Sequence, residues 1–235
     1  MTIRMREALE RDLREISAEF IRLISHTSEQ LELAEKVLLE REVQHATRVR
    51  EIDTLVDALE IKLEQTCLRV IAQHQPVASD LRFLAAVLKS LSDLERVGDY
   101  CVHVAEDARL LASDPPLKRY INLGQMIARL KTMLHACSLA FSERDTRKAK
   151  ETSAMDLEID DLYEQTQREL VTYMIEDPRT ITKALALLRV GRSLQRIGDH
   201  IENVSDRVQY WLTGARTVIP VRRDEREPND APTEN

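Results

Sequence analysis

The 235-residue chain is poor in the residues that break or flatten helices: it has five glycines, three cysteines and 4% aromatics. Few aromatics and glycines, set against abundant Leu, Ala, Glu and Arg, disfavour sheets joined by tight turns. They favour helices, because straight-chain side chains lose little rotamer freedom there. The cysteines, Cys67, Cys101 and Cys137, are odd in number and widely spaced within helical patterns. That excludes a disulfide framework and a thiolate metal site, and leaves them as small core residues. No stretch approaches the roughly 18 apolar residues that span a bilayer, which excludes membrane insertion. Basic runs are missing too: 34 Lys and Arg face 41 Asp and Glu, a formal charge of -7, which argues against nucleic acid as a partner. The opening MTIRMREALERDLRE has no apolar core of a signal segment, so a cytoplasmic location is expected. There is no Gly-rich phosphate loop, nucleotide fingerprint or nucleophile elbow, and no enzyme activity is expected.

What is present is helical periodicity. Leu9, Leu13, Ile16, Phe20, Leu23, Ile24, Leu31, Ala34 and Leu38 mark a first helix from Arg6 to about Glu40. A second, from about Val43 to Gln75, runs through Ile52, Leu55, Val56, Leu59, Leu63, Cys67, Val70 and Ile71 and is stopped by Pro76, which lacks the amide donor. A third spans about Ser79 to Ala112, before Asp114-Pro115-Pro116. The scheme then restarts: about Leu117 to Ser142, Asp145 to Glu176, and Pro178 to Thr213, with Asp177 as N-cap ahead of a first-turn proline. The reading is all-α: two tandem, similar three-helix bundles at 1–113 and 114–214, and an acidic, disordered tail at 215–235 with little to bury.

Sequence phrases repeat as well as elements. LERVGDYCVHVAED from Leu94 is answered by LQRIGDHIENVSDR from Leu194, and Glu51-Ile52-Asp53 by Glu158-Ile159-Asp160. Acids follow one turn beyond, at Asp57 and Glu164. Residues four apart share a helix face, so Glu95, Asp99, His103 and Glu106 form one polar stripe, and Gln195, Asp199, Glu202 or Asn203, and Asp206 another. Like charges at this spacing repel, and either basic neighbours such as Lys89, Arg96, Arg189 and Arg196 or a bound cation must offset them. The first alternative makes the stripes solvated faces. The second makes them a site for Mn, Fe, Mg or Zn, which suit carboxylates with an occasional imidazole. Gly98 and Gly198, each costing about 1 kcal/mol relative to alanine, imply a close helix approach or uncovered backbone beside the acids. His26, His45, His74 and His135 have no repeated context, and His200 points off the stripe.

These residues resemble the PhoU family, the accessory regulators of bacterial phosphate-specific transport. The stretch QPVASDLRFLAAVLKSLSDLERVGDYCVHVAED, from Gln75 to Asp107, carries the likeness, and the paired helices extend it over nearly the whole chain. The resemblance implies two symmetry-related three-helix bundles, with iron, zinc or related ions at (Glu/Asp)-x-x-x-Asp motifs. By position these are Glu95 and Asp99 with Asp53 and Asp57 facing them, and His103 and Glu106 alongside. In the second half they are Asp199, Glu202 and Asp206, with Asp160 and Glu164. Gln195 departs from the motif, so the second site has one charge fewer and binds metal more weakly or differently. The resemblance also implies a non-enzymatic negative regulator of the phosphate regulon, coupling the ATPase subunit of a phosphate-specific ABC transporter to a sensor histidine kinase. It implies a homodimer, recruited to the inner face of the membrane only through its partners. A di-metal carboxylate enzyme would need Glu-x-x-His on two helices, and only Glu42 with His45 has that form. A phosphotransfer bundle would need an exposed histidine, and none recurs between the halves.

Overall fold

Each helix ends where the backbone chemistry requires. A computed structural model of the chain describes residues 3–215, so the expected tail lies outside the described residues apart from its first position. Six α-helices run α1 (Ile3–Glu35), α2 (His45–His74), α3 (Ala78–Leu111), α4 (Ile121–Glu143), α5 (Thr146–Glu176) and α6 (Ile181–Thr213). There is no strand among the described residues. α1 continues into a wider π turn, Lys36–Glu40, which ends at Arg41 in the left-handed region. From there Arg41 donates to the carbonyls of Ala112 and Asp114 at 2.7 and 2.9 Å, tying the end of the first helix to the linker between the halves. α2 stops at left-handed Gln75, ahead of Pro76. Asp145 caps α5 by accepting from the Arg147 amide, and Asp177 accepts from Arg179 above a short 3₁₀ turn that begins at Pro178, as the sequence predicts.

Burial sorts the helices into outer and inner. α2 buries a single stripe: Val49, Ile52, Val56, Leu63, Cys67 and Val70. Leu55, expected in that stripe, is instead exposed, because it falls on the solvent side of Ile52, about 100° around the helix from Val56. α3 and α6 bury residues on two faces, one toward their own bundle and one toward each other. Within each half three helices pack together: α1, α2 and α3, then α4, α5 and α6. The halves join chiefly through α3 on α6 and secondarily through α1 on α4. The three cysteines are free and buried, as expected of core residues, and burial pushes the Cys67 thiol up to about 12.

α3 and α6 run antiparallel, since early residues of one meet late residues of the other. Buried Asp93 accepts from His200 Nδ1 at 2.8 Å, from Asn203 at 3.2 Å and from Arg207. Toward the opposite end Arg189 forks onto both oxygens of Asp107. At the far end of the seam lie all three phenylalanines and the only tryptophan. Phe20 meets Phe141 at 4.6 Å between ring centres, and Trp211 meets Phe83 at 5.0 Å and Phe141 at 5.3 Å. These rings come from α1, α3, α4 and α6, two from each half. Phe141→Ala should therefore cost about 3–5 kcal/mol in urea unfolding followed by circular dichroism, whereas Leu55→Ala should stay within about 0.5 kcal/mol. Equal losses would mean that the rings do not hold the halves together.

Candidate metal centre

The acids of the first half lie where α2 faces α3. Gly98 makes room for them: a Cβ there would sit 2.9 Å from Asp53 Oδ1 and 2.9 Å from Gln30 Oε1. Close approach and the neighbouring acid are thus one feature, because it is a carboxylate that the missing side chain admits. Gln30, fully buried on α1, donates to Asp53 Oδ1 at 3.0 Å and to the Val49 carbonyl at 3.3 Å. Its own oxygen is buried with no hydrogen-bond partner. Asp57 and Asp99 stand near Asp53, and Glu95 lies close to Asp99 with Glu60 and Asp57 beside it. Burial raises the pKa of Asp53, Asp57, Glu60 and Glu95, and repulsion among the acids adds to it: Asp99 pushes up Asp53, Asp57 and Glu95. His103 is exposed, set edge-on to Tyr100 at 5.8 Å, and its charge works the other way on Asp53. Glu106 is drawn to Arg50 of α2.

The second half repeats this geometry in a different register from the one read in the sequence. A Cβ on Gly198 would come 2.6 Å from Asp156 Oδ1, so the counterpart of Asp53 is Asp156, and that of Asp57 is Asp160. The Glu-Ile-Asp match is displaced by one helical turn: three identical residues outweighed the Asp-x-x-x-Asp spacing that both helices share. Glu164 accordingly lies one turn beyond, exposed and paired with Arg168 at 3.4 Å. Asp160 accepts from Gln195 at 2.5 Å, and Gln195 accepts from Arg192 at 2.6 Å. Arg196 holds Asp199 at 3.0 Å, as Arg96 holds Asp99 at 3.2 Å. Glu202 is buried. Asp206 has its pKa raised to about 6 by burial and by Glu202 one turn away. His200 turns away from the acids toward Asp93.

Carboxylates held against mutual repulsion, with an unpartnered buried amide oxygen beside them, fit a hard divalent cation in kind. As the side chains stand, no three His, Cys, Asp or Glu among the described residues converge on one point to hold a metal ion. Arg96 holds Asp99 and Gln30 holds Asp53, so a cation in the first half would draw on Asp53, Asp57, Glu95 and Asp99 after Arg96 had swung away. Sequence reading missed Asp156, Glu60 and Gln30. Spacing back from the Gly-Asp phrase could have found Asp156, but nothing in the sequence marks Gln30.

An all-helical chain made of two three-helix units, each with a carboxylate wedged against a mid-helix glycine, defines a class of duplicated helical-bundle proteins. Known proteins narrow this. The PhoU domain matches residues 20–108 and 123–208, and the chain belongs to the PhoU family. It is 54% identical over 212 residues to the phosphate-specific transport system accessory protein PhoU homologue of Deinococcus radiodurans, covering 90% of this chain and all of that one. To the homologue of Aquifex aeolicus it is 39% identical over 79% of this chain and 84% of that one. Crystal structures of PhoU from Pseudomonas aeruginosa and of the phosphate transport system regulatory protein PhoU from Streptococcus pneumoniae superpose with TM-scores of 0.85 and 0.83. Identities are 32% and 26%, over 88% and 90% of this chain and 99% and 100% of theirs.

Two outcomes follow from this geometry. Gly98→Ala should destabilise the protein by about 1–3 kcal/mol through overpacking against Asp53 and Gln30, reversing the gain of about 1 kcal/mol that helix propensity alone would give. An unchanged or raised urea midpoint would refute the wedge. Asp206 binds its proton more tightly folded than unfolded, so its contribution to stability falls as pH rises from about 4 through about 6 and stays lost above. Asp206→Asn should therefore be more stable than wild type by ~1 kcal/mol at pH 7.5, allowing for solvent screening at a half-buried site, with no gain at pH 4. Thermal melts at the two pH values measure it.

Proposed function

We propose that the chain is a non-enzymatic regulator of phosphate uptake, acting as an adaptor. In phosphate-rich conditions it couples the ATPase subunit of a phosphate-specific ABC transporter to a sensor histidine kinase and holds the phosphate regulon down. The observation that carries this reading is the match of both repeats to the PhoU domain, together with 54% identity along the entire length of a relative named for the phosphate transport system. None of the six helices is long and apolar enough among the described residues to cross a membrane, which accords with a cytoplasmic adaptor that reaches the membrane through its partners. Self-association as a homodimer belongs to the same reading.

The first-repeat acids enter as a cation-loaded face, with iron, zinc, manganese or magnesium as the candidate ions. Carboxylates supply the donors for such ions, and a bound cation would relieve the repulsion that adds to burial in raising the pKa values of Asp53, Asp57 and Glu95. What it would contribute is order: α2 and α3 would be clamped across their acidic edge and Arg96 released.

The test is an alkaline phosphatase reporter in the source bacterium grown in phosphate-rich medium. Deletion of the gene should make expression constitutive, and the wild-type gene supplied in trans should restore repression. Repression that persists after deletion of this gene and every paralogue would rule the reading out.

A further inference from the structure

We propose that the two repeats form a hinge: they part at the linker end of the α3–α6 seam, where Asp114 is latched from both sides, while the aromatic end stays closed as the pivot. The inference goes beyond the adaptor reading and does not depend on it.

Duplication puts equivalent joints at the two ends of the seam. With Gly98 and Gly198 setting the register, Leu111 stands at the place of Trp211, and Lys183 at the place of Phe83. Arg41 and Arg144 correspond as well, each a left-handed residue, at φ 61° and 56°, that closes the first helix of its half. Three residues before them are Leu38 and Phe141. At one joint Trp211 packs on Phe83 and Phe141, and the Arg144 guanidinium lies 5.5 Å from the indole centre. At the other, the ring positions are Leu111, Lys183 and Leu38, and the halves are joined by polar contacts. Arg41 donates to the carbonyls of Ala112 and Asp114, while Lys183 reaches the Asp114 carboxylate at 3.3 Å and the Pro115 carbonyl at 3.4 Å. The first repeat thus grips Asp114 by its carbonyl and the second by its side chain.

Three observations make the linker end the one that opens. The latch is wet: the Asp114 side chain is 60% exposed, and ion pairs in water hold weakly. The packing beside it is thin. Toward the linker end the buried residues include Ala105 and Ala108 of α3 with Ala184 and Ala186 of α6, and toward the aromatic end Phe83, Leu84 and Leu91 with Val208 and Trp211. Alanine removes little apolar surface from water, whereas the rings remove much. Finally, the chain accepts a local distortion to deliver Arg41: the helix widens into the π turn Lys36–Glu40 just before it, while α4 runs into Arg144 with no such turn. Single π turns of this kind recur at functional sites.

Two measurements on the full-length chain test the hinge. In wild type, amide hydrogen exchange at Val104, Ala105 and Ala108 should be at least ~10-fold faster than at the repeat-equivalent Val204, Ser205 and Val208. Pairs of spin labels then report each end, Gln44→Cys with Thr182→Cys at the linker and Ala72→Cys with Ser142→Cys at the rings. The native cysteines are buried and escape labelling. Arg41→Gly with Lys183→Met keeps the left-handed turn and the lysine's apolar stem but removes the latch. It should raise the population of a longer distance at the linker end on the order of tenfold and leave the distance at the rings unchanged. Arg144→Gly should alter neither. Equal exchange at the two sets of amides overturns the hinge, as does a linker-end distance that the double variant does not lengthen, or lengthening at both ends alike. Circular dichroism checks that each variant is folded, and the exchange in wild type decides the matter if the double variant is not.

Discussion

The antiparallel packing of α3 on α6 is the contact on which the rest of the molecule depends. Each of these helices must satisfy two neighbours at once, its own bundle and the opposite half, and so buries two faces where α2 buries one stripe. A helix so enclosed has little solvent face on which to carry polar groups, and those it does carry are closely paired. Asp93, buried with three donors from α6, is the plainest case. A buried charge lacking partners would cost several kcal/mol, so this network fixes the register of the two halves as firmly as the apolar contacts do.

The same enclosure accounts for the acidic edges. An aspartate from the outer helix can approach the inner one only where the inner helix has no side chain, which is why glycine is kept at 98 and 198 at a cost to helix propensity. Once there, the carboxylate is half out of water and its neighbours decide its state. In the first repeat Asp53 takes an N–H from Gln30 with Asp57 and Asp99 close by; in the second the amide is that of Gln195, and it serves Asp160, one turn from Asp156. One backbone plan thus places a carboxylate, Glu95, in one half and an amide, Gln195, at the matching position of the other.

Much of this was legible in the sequence. Helix number, the breaks at Pro76 and at Pro115-Pro116, the cap at Asp177 and the duplicated plan all follow from periodicity and local backbone rules, which act over a few residues. Leu55 was not, because a stripe one residue wide tolerates no angular error and apolarity alone does not say on which side of it a leucine falls. The acid register went wrong for a related reason: identity over Glu-Ile-Asp is a property of three residues, whereas the site is set by which turn of α5 meets Gly198, a relation between two helices. Gln30 lay wholly out of reach, since its role depends on a third helix that crosses behind the glycine.

The aromatic residues, so scarce in composition, are spent in one place. With every phenylalanine and the single tryptophan gathered where α1, α3, α4 and α6 converge, the indole of Trp211 is a built-in optical gauge of how the two repeats sit against each other. Loosening of the seam would wet the ring and redden its emission, while events confined to the acidic edges of α2 or α5 would leave it dark-field quiet. Local loading and global opening can thus be told apart in the unlabelled protein by its own light.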